Sequence, residues 1–224
     1  MRSTVRVSWS LGETGALALK AARGAGMTWG LAEEASEAVV WLQARGLPGV
    51  SALCRYLSWY QLQNSLFPKW TGILYEDNTI PYCPFIIGTA ISDGAIKIPT
   101  SVNTEGSLGL IRQPLLLLPF VSTSAPEGYG LYVGNFFISV ALGKEKLLSY
   151  LDFSNALLLD EAECFIRPVS KAPPNFELKG PPLRLPDCYG GCINVFNTFA
   201  GKTYAPSTEQ SRSTGAGANS IDDD

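Results

Sequence analysis

Three places in the chain combine residue types that can do chemistry. Cys188-Tyr-Gly-Gly-Cys192 sets two thiols four residues apart and invites a metal or redox reading. Metal and thiol-exchange motifs use two intervening residues rather than three, and a zinc site needs two further ligands. Both cysteines also fall on the apolar stripe of an expected helix, where free Cys packs as a small hydrophobe. A reactive thiol at the helix N-terminus is the alternative. The second place is Gly88-Thr-Ala-Ile-Ser-Asp-Gly94, which follows an apolar run. There Ser92 and Asp93 suit substrate binding, or Asp93 a base, but turns use Ser, Asp and Gly for local hydrogen bonds alone. The third is the tail from Thr203 to Asp224, with Ser207, Ser211, Arg212, Ser213, Thr214 and the Gly215-Ala-Gly217 segment. Arg pairs bidentately with a carboxylate or phosphate, and Gly lets backbone N–H groups approach it. The tail lacks the Gly-Lys-Ser/Thr end of a P-loop and the G-x-G-x-x-G pattern. A flexible Ser/Gly tail is the competing reading. The candidate ligand residues are therefore Ser92, Asp93, Ser207, Ser211, Arg212, Gly215 and Gly217, with no metal or cofactor expected.

What the chain lacks restricts it further. Histidine is absent from all 224 residues, which removes the commonest general base, the Ser-His and Cys-His nucleophile pairs, and histidine metal ligands. Hydrophobic residues are 46% and charged residues 17%, with mean hydropathy +0.11, so the chain can build a core and is not disordered by composition. Net charge is −3, with +2 over residues 1–60 and −5 over the rest. No window concentrates Lys or Arg, which argues against nucleic acid as a partner. Met1 to Trp9 is too short and polar for a signal peptide. The apolar run Pro114 to Val121 falls far short of the ~20 residues that span a bilayer. Five scattered cysteines read as free thiols of a cytoplasmic protein.

The elements that would hold these groups follow from periodicity. Leu11, Gly15, Ala18, Leu19 and Ala22 form one helical stripe, opened by a Ser10/Glu13 capping box and ended by Gly24 or Gly26. Leu31, Ala35, Ala38, Val39 and Leu42 form a second, with Thr28 as N-cap and Arg45-Gly46 closing it. Residues 10–46 thus read as a helical hairpin. Trp29 is expected to plug the pair, with Lys20 and Arg23 as last-turn cations complementing the dipole. A third helix is expected over Val50–Tyr60. From Thr71 to Arg167, short Gly- and Pro-punctuated apolar runs predict strands at Phe85–Ile91, Ile96–Ile98, Ile111–Val121, Leu131–Val133, Phe136–Leu142, Ala156–Leu159 and Cys164–Val169. Gly134-Asn135 is a two-residue hairpin turn. Four consecutive leucines, Leu115–Leu118, imply a strand buried on both faces. Residues 171–187 hold five of fifteen prolines and read as a linker, with one short strand at Leu183–Leu185. Cys188, Cys192, Val195, Phe196 and Phe199 repeat the helical stripe, with Asp187 as N-cap.

Four blocks carry a likeness: residues 17–49, GTAISDGA at 88–95, PLLLLPF at 114–120, and the tail 203–224. Together they resemble an uncharacterised bacterial family, a domain of unknown function, along essentially the whole chain. The resemblance implies that the tail is part of the family pattern, and it brings no catalytic residues with it. A narrower likeness covers residues 11–50. A hairpin ending in A-R-G-L-P-G is similar to the N-terminal hairpin of malate/L-sulfolactate-type NAD(P)-dependent dehydrogenases, which continues into a Ser-His-Gly motif with a catalytic histidine. Leu47-Pro48-Gly49 stands at that place here, so the activity does not transfer.

The expected fold is α+β: a helical subdomain over 1–62, a mainly antiparallel β subdomain over 63–170, the Pro-rich linker 171–187, and a C-terminal helix with an ordered tail over 188–224. Two functions fit. One is a non-catalytic accessory protein of small-molecule metabolism, holding an anionic metabolite or a partner enzyme at the tail and the 92–93 turn. The other is a histidine-independent lyase, isomerase or hydrolase using Asp93, Ser211, Arg212 and Asp222.

Overall fold

The computed structural model describes residues 9–63, 80–99, 104–124, 129–134, 136–141, 146–149, 159–168 and 190–204. Helix α1 (Leu11–Gly24) opens on the expected capping box. The Ser10 hydroxyl accepts from Glu13 N at 3.2 Å, and the Glu13 carboxylate accepts from Ser10 N at 2.8 Å. It closes on a Schellman turn, in which Gly26 N donates to Arg23 O and Met27 N to Ala22 O. Gly26 sits at φ +99, the left-handed conformation that the turn requires. Met27, next in line, is fully buried and staples the corner. Helix α2 (Trp29–Gln43) ends the same way at Gly46, φ +72. Helix α3 (Gly49–Leu62) follows at once, and the buried Gln43 amide oxygen accepts from Gly49 N at 3.0 Å. The hairpin helices touch closely: Ser36 Oγ donates to Gly15 O at 2.8 Å.

The middle departs from the expected run of strands. Residues 84–92 form helix α4 (Pro84–Ser92), not a strand. Pro84 occupies its first turn, where a missing N–H costs nothing. Phe85, Ile87, Gly88, Ala90 and Ile91 are all buried, so the segment is apolar on nearly every side and shows no periodicity to separate helix from strand. Residues 96–98 form no strand either. Strand β1 (Gly106–Arg112) takes only the first two residues of the expected 111–121 strand. Gln113 then turns left-handed at φ 49, Pro114–Leu117 wind into a 3₁₀ turn, and α5 (Leu118–Ser124) continues it. Both prolines sit where helices tolerate them, and all four leucines are buried, so the expected burial holds while the conformation does not. Gln113 is itself buried and anchored, its backbone N donating to Asp160 O at 2.7 Å and its Nε2 to Asp160 Oδ1 at 2.6 Å.

The sheet is antiparallel with strand order β1-β5-β2-β3-β4. Its other strands are β2 (Tyr129–Val133), β3 (Phe136–Ala141), β4 (Lys146–Ser149) and β5 (Glu161–Pro168). Gly134, φ +55, turns β2 into β3 as expected. A bulge at Ser107/Gly109, with Gly109 at φ +72, lets Leu108 bury against the helices. Helix α6 (Gly190–Gly201) returns to pack on α1 and α3. One apolar core runs through all these layers, from Leu17 through Leu57, Phe85, Leu116 and Ile166 to Phe199. The fold is α+β. The segments Ala156–Leu158, Leu183–Leu185, Cys188 and the tail beyond Tyr204 lie outside the described residues.

Candidate functional site

The groups best placed for chemistry gather where the end of α1 meets the end of α6. Lys20 and Arg23 stand three apart on α1 and so share a face. Leu19 and Gly24 flank them. Gly24 is in the helix, and its use is proximity: a Cβ there would fall 1.8 Å from the Phe199 carbonyl oxygen. Only glycine lets the α6 backbone approach α1 so closely. That approach carries the last turn of α6 and the residues after it, Lys202 and Thr203, to the same place. The turn is held by Lys202 N donating to Phe199 O at 2.9 Å and Thr203 Oγ1 donating to Ala200 O at 2.7 Å.

The result is an open cleft of about 530 Å³ lined by Leu19, Lys20, Arg23, Gly24, Trp29, Lys202 and Thr203. Its volume falls in the range of small-ligand sites. Trp29 does not plug the helix pair as expected. It is 62% exposed and stands at the rim, with the Arg23 guanidinium 4.9 Å from its ring centre. Arg23 also donates to Met27 O, so its position is fixed from two sides. Tyr204 is 64% exposed, and Lys20 Nζ lies 6.0 Å from its ring.

Three cations line this cleft and, among the described residues, no carboxylate does. Two helix C-termini also face it, each equivalent to roughly −0.5 charge. The cations outweigh those dipole ends by about two charges, so the cleft is positive on balance. A cleft of this sign with an exposed flat ring at its rim can hold a small anion bearing a ring or an apolar part.

A second groove, of about 250 Å³, has the opposite character. Glu34, Glu37, Trp41, Ser92, Phe120 and Thr123 line it. Ser92 ends α4 and shares a 3.1 Å hydrogen bond with Ser124. Asp93 caps the same helix through its backbone N–H, which donates to Thr89 O. The turn is therefore a helix end and not the end of a strand. Burial, and after it the charges of Glu37, Asp93 and Glu33, push the Glu34 carboxyl above its ordinary value. An anion beside Ser92 would meet those carboxylates. Ser207, Ser211, Arg212, Gly215, Gly217 and Asp222 lie outside the described residues.

The described cysteines are free thiols. Cys54 on α3 and Cys192 in the first turn of α6 share a hydrogen bond, and Cys192 Sγ lies 3.9 Å from Ser51 Oγ. Cys192 is half-buried on the apolar stripe, as expected, and no group of potential metal ligands forms among the described residues. Cys83 accepts from the Tyr56 hydroxyl at 2.9 Å, and Cys164 is sealed inside the sheet.

Residues 9–79 match the family described as Protein of unknown function (DUF3726). The expected likeness to a family of unknown function is thus borne out for the N-terminal third. No curated protein and no solved structure matches the chain. The DUF3726 stretch contains α1 to α3 and therefore Lys20, Arg23, Gly24, Trp29 and Cys54. Lys202 and Cys192, which complete the cleft and the thiol pair, come from α6 and the turn after it, outside the match. No described helix is long and apolar enough to cross a membrane.

The sequence pointed to an anion but to other residues. Lys20 and Arg23 look like ordinary last-turn cations, and Lys202 is 179 residues beyond Arg23 in the chain. Gly24 was the available signal: a glycine inside the last turn of a helix, two residues before the one that turns the chain.

Proposed function

We propose that this is a non-catalytic protein that binds a small anionic metabolite in the cleft between the ends of α1 and α6. The observation that carries the reading is the convergence of Lys20, Arg23 and Lys202, without a facing carboxylate among the described residues, beneath the exposed Trp29. Cations hold phosphate or carboxylate oxygens by charge-assisted hydrogen bonds, and Trp29 supplies a face for an attached ring. The described lining of the cleft offers no carboxylate or thiol to serve as a base, which favours binding over turnover. A role as an accessory of small-molecule metabolism in the bacterial cytoplasm suits the free cysteines and the family likeness. The groove at Ser92 and Asp93 is the less suitable place for an anion because of Glu34 and Glu37.

Calorimetric titration with inorganic pyrophosphate, ATP and adenosine tests this. Binding of ATP or pyrophosphate but not adenosine is expected. The double variant Lys20→Ala/Lys202→Ala should weaken it at least ~100-fold, as for losing two charge-assisted bonds of about 1.5–3 kcal/mol each. Its melting temperature should stay within about 2 °C of wild type, as for surface changes. Anion binding that the double variant leaves intact, or no anion binding at all, would remove the cleft from consideration.

A further inference from the structure

We propose that Cys54 and Cys192 form an oxidisable thiol pair that closes a disulfide between α3 and α6 when the protein meets hydrogen peroxide. Among the described cysteines these two alone stand together across an interface between elements. Cys54 is buried in α3, and Cys192 is half-exposed in the first turn of α6. Ser51, one helical turn before Cys54 and on the same face, brings its hydroxyl to 3.9 Å from Cys192 Sγ. The two thiols share a hydrogen bond, and the Arg55 guanidinium, itself 3.7 Å from the Asp160 carboxylate, lies near enough to favour their ionised form. A partly exposed thiol in the first turn of a helix is where thiolates form.

The two sulfurs are also unequal. The hydrogen bond from Cys54 pulls the Cys192 thiol well below its ordinary range; Ser51 and Arg55 act in the same sense, against the effect of burial. Cys54 moves up, through the same bond and its burial. Cys192, half-exposed in the first turn of α6 with the Ser51 hydroxyl beside it, is the more acidic and more accessible thiol, and the buried Cys54 is its neighbour. Burial first of all pushes Cys164 up, and it outweighs the Tyr56 hydrogen bond at Cys83, so neither competes.

The chemistry balances with one equivalent of peroxide. The Cys192 thiolate attacks a peroxide oxygen, and the O–O bond breaks. The departing hydroxide takes a proton from solvent and leaves as water, with Cys192 now a sulfenic acid, oxidised by two electrons. Cys54 then gives up its proton as its sulfur attacks the Cys192 sulfur. The S–O bond breaks, and the hydroxide leaves with that proton as a second water. Two thiols and one hydrogen peroxide have become one disulfide and two waters, and a small thiol reverses it by exchange. The sulfurs close from hydrogen-bond contact to ~2.05 Å. Cys192 is ten residues from Lys202, about 15 Å along the helix axis, so the pair is separate from the cleft and stands whether or not the cleft binds an anion.

The test is peptide mapping of the full, reduced chain after exposure to hydrogen peroxide and quenching with iodoacetamide. The expected product is a Cys54–Cys192 cross-linked peptide with an intact mass lower by two hydrogens, restored by dithiothreitol. It should persist in Cys188→Ser and vanish in Cys54→Ser and Cys192→Ser. Before oxidation, Cys192 should alkylate faster at neutral pH than Cys54, Cys83 or Cys164. Since the wild-type map stands alone, a variant that folds poorly does not blur the answer. A Cys188–Cys192 bond as the main product, sulfinic acid at Cys192 without cross-linking, or Cys192 alkylating no faster than Cys83 would each overturn the proposal.

Discussion

Gly24→Ala should destabilise the protein, although the same change at two other helical glycines should stabilise it. An added Cβ at residue 24 would lie 1.8 Å from the Phe199 carbonyl oxygen and 2.5 Å from its carbon. Real Cβ contacts fall no shorter than about 3.0 Å, so α6 must withdraw by at least 1.2 Å at that point. The obstacle is helix backbone, which cannot swing aside as a side-chain tip would. A gap of this size forfeits about half or more of the local dispersion attraction. Phe199 and Ala200 at this end of α6, both buried, lose it first. Overpacking of this kind costs about 1–3 kcal/mol. Against it stands the alanine's gain in helix propensity, about 0.5–1 kcal/mol. A clash with backbone falls at the upper end of that cost, so the net loss of up to about 2.5 kcal/mol lowers the melting temperature by up to about 10 °C in a chain of this size. Gly12 in α1 and Gly30 in α2 have no heavy atom within 4 Å of an added Cβ and no left-handed backbone. There the propensity gain stands alone, and Gly12→Ala and Gly30→Ala should each raise the melting temperature by about 1–4 °C. Calorimetric melting of the three variants beside wild type gives the answer. Were Gly24→Ala to melt with the other two, α6 would not approach α1 as described, and the cleft built on that approach would fall with it.

Two further changes probe the core and the acidic groove. Leu116→Ala empties a fully buried site in the 3₁₀ turn and should cost about 2–5 kcal/mol in urea unfolding; a loss below about 1 kcal/mol would mean that the turn is exposed. Glu34, whose carboxyl titrates above its ordinary value, contributes a penalty absent at low pH and felt as pH rises through its raised midpoint. Glu34→Gln should therefore gain a few tenths of a kcal/mol at pH 7, small because the side chain stays largely hydrated. The gain should disappear below about pH 4, and equal stability differences at both pH values would contradict the assigned repulsion.

The helices with caps and an amphipathic stripe were legible in the sequence because each local signal agreed with the others. Ser10 and Glu13 close the box, Gly26 and Gly46 take the left-handed positions, and the stripes of α1 and α2 bury as spaced. The segments at 85–91 and 115–118 were not, because burial on every side erases the period that tells a helix from a strand. What survived there was composition. Four leucines had to be inside, and they are, in a turn that Pro114 and the left-handed Gln113 begin.

The cleft was illegible for a different reason. Lys20 and Arg23 lie where any helix favours cations, and Trp29 beside a glycine-rich corner reads as packing. Their meaning comes from α6, whose last turn is brought against them by a contact at one atom's width, Gly24 on Phe199. No pattern within either segment announces that contact, because helix propensity argues against the glycine and nothing local argues for it. Gly24 costs its helix about 1 kcal/mol and makes room for the Phe199 backbone, whereas Gly12 and Gly30 carry the same cost with nothing passing near them. The Gly24 contact joins a helix of the matched family stretch to one beyond it. The cation cleft and the Cys54–Cys192 pair both lie along that seam, one at each end of α6. Chemistry at the seam needs both segments, so residues 9–79 alone would carry Lys20, Arg23 and Cys54 without the partners that make them a site.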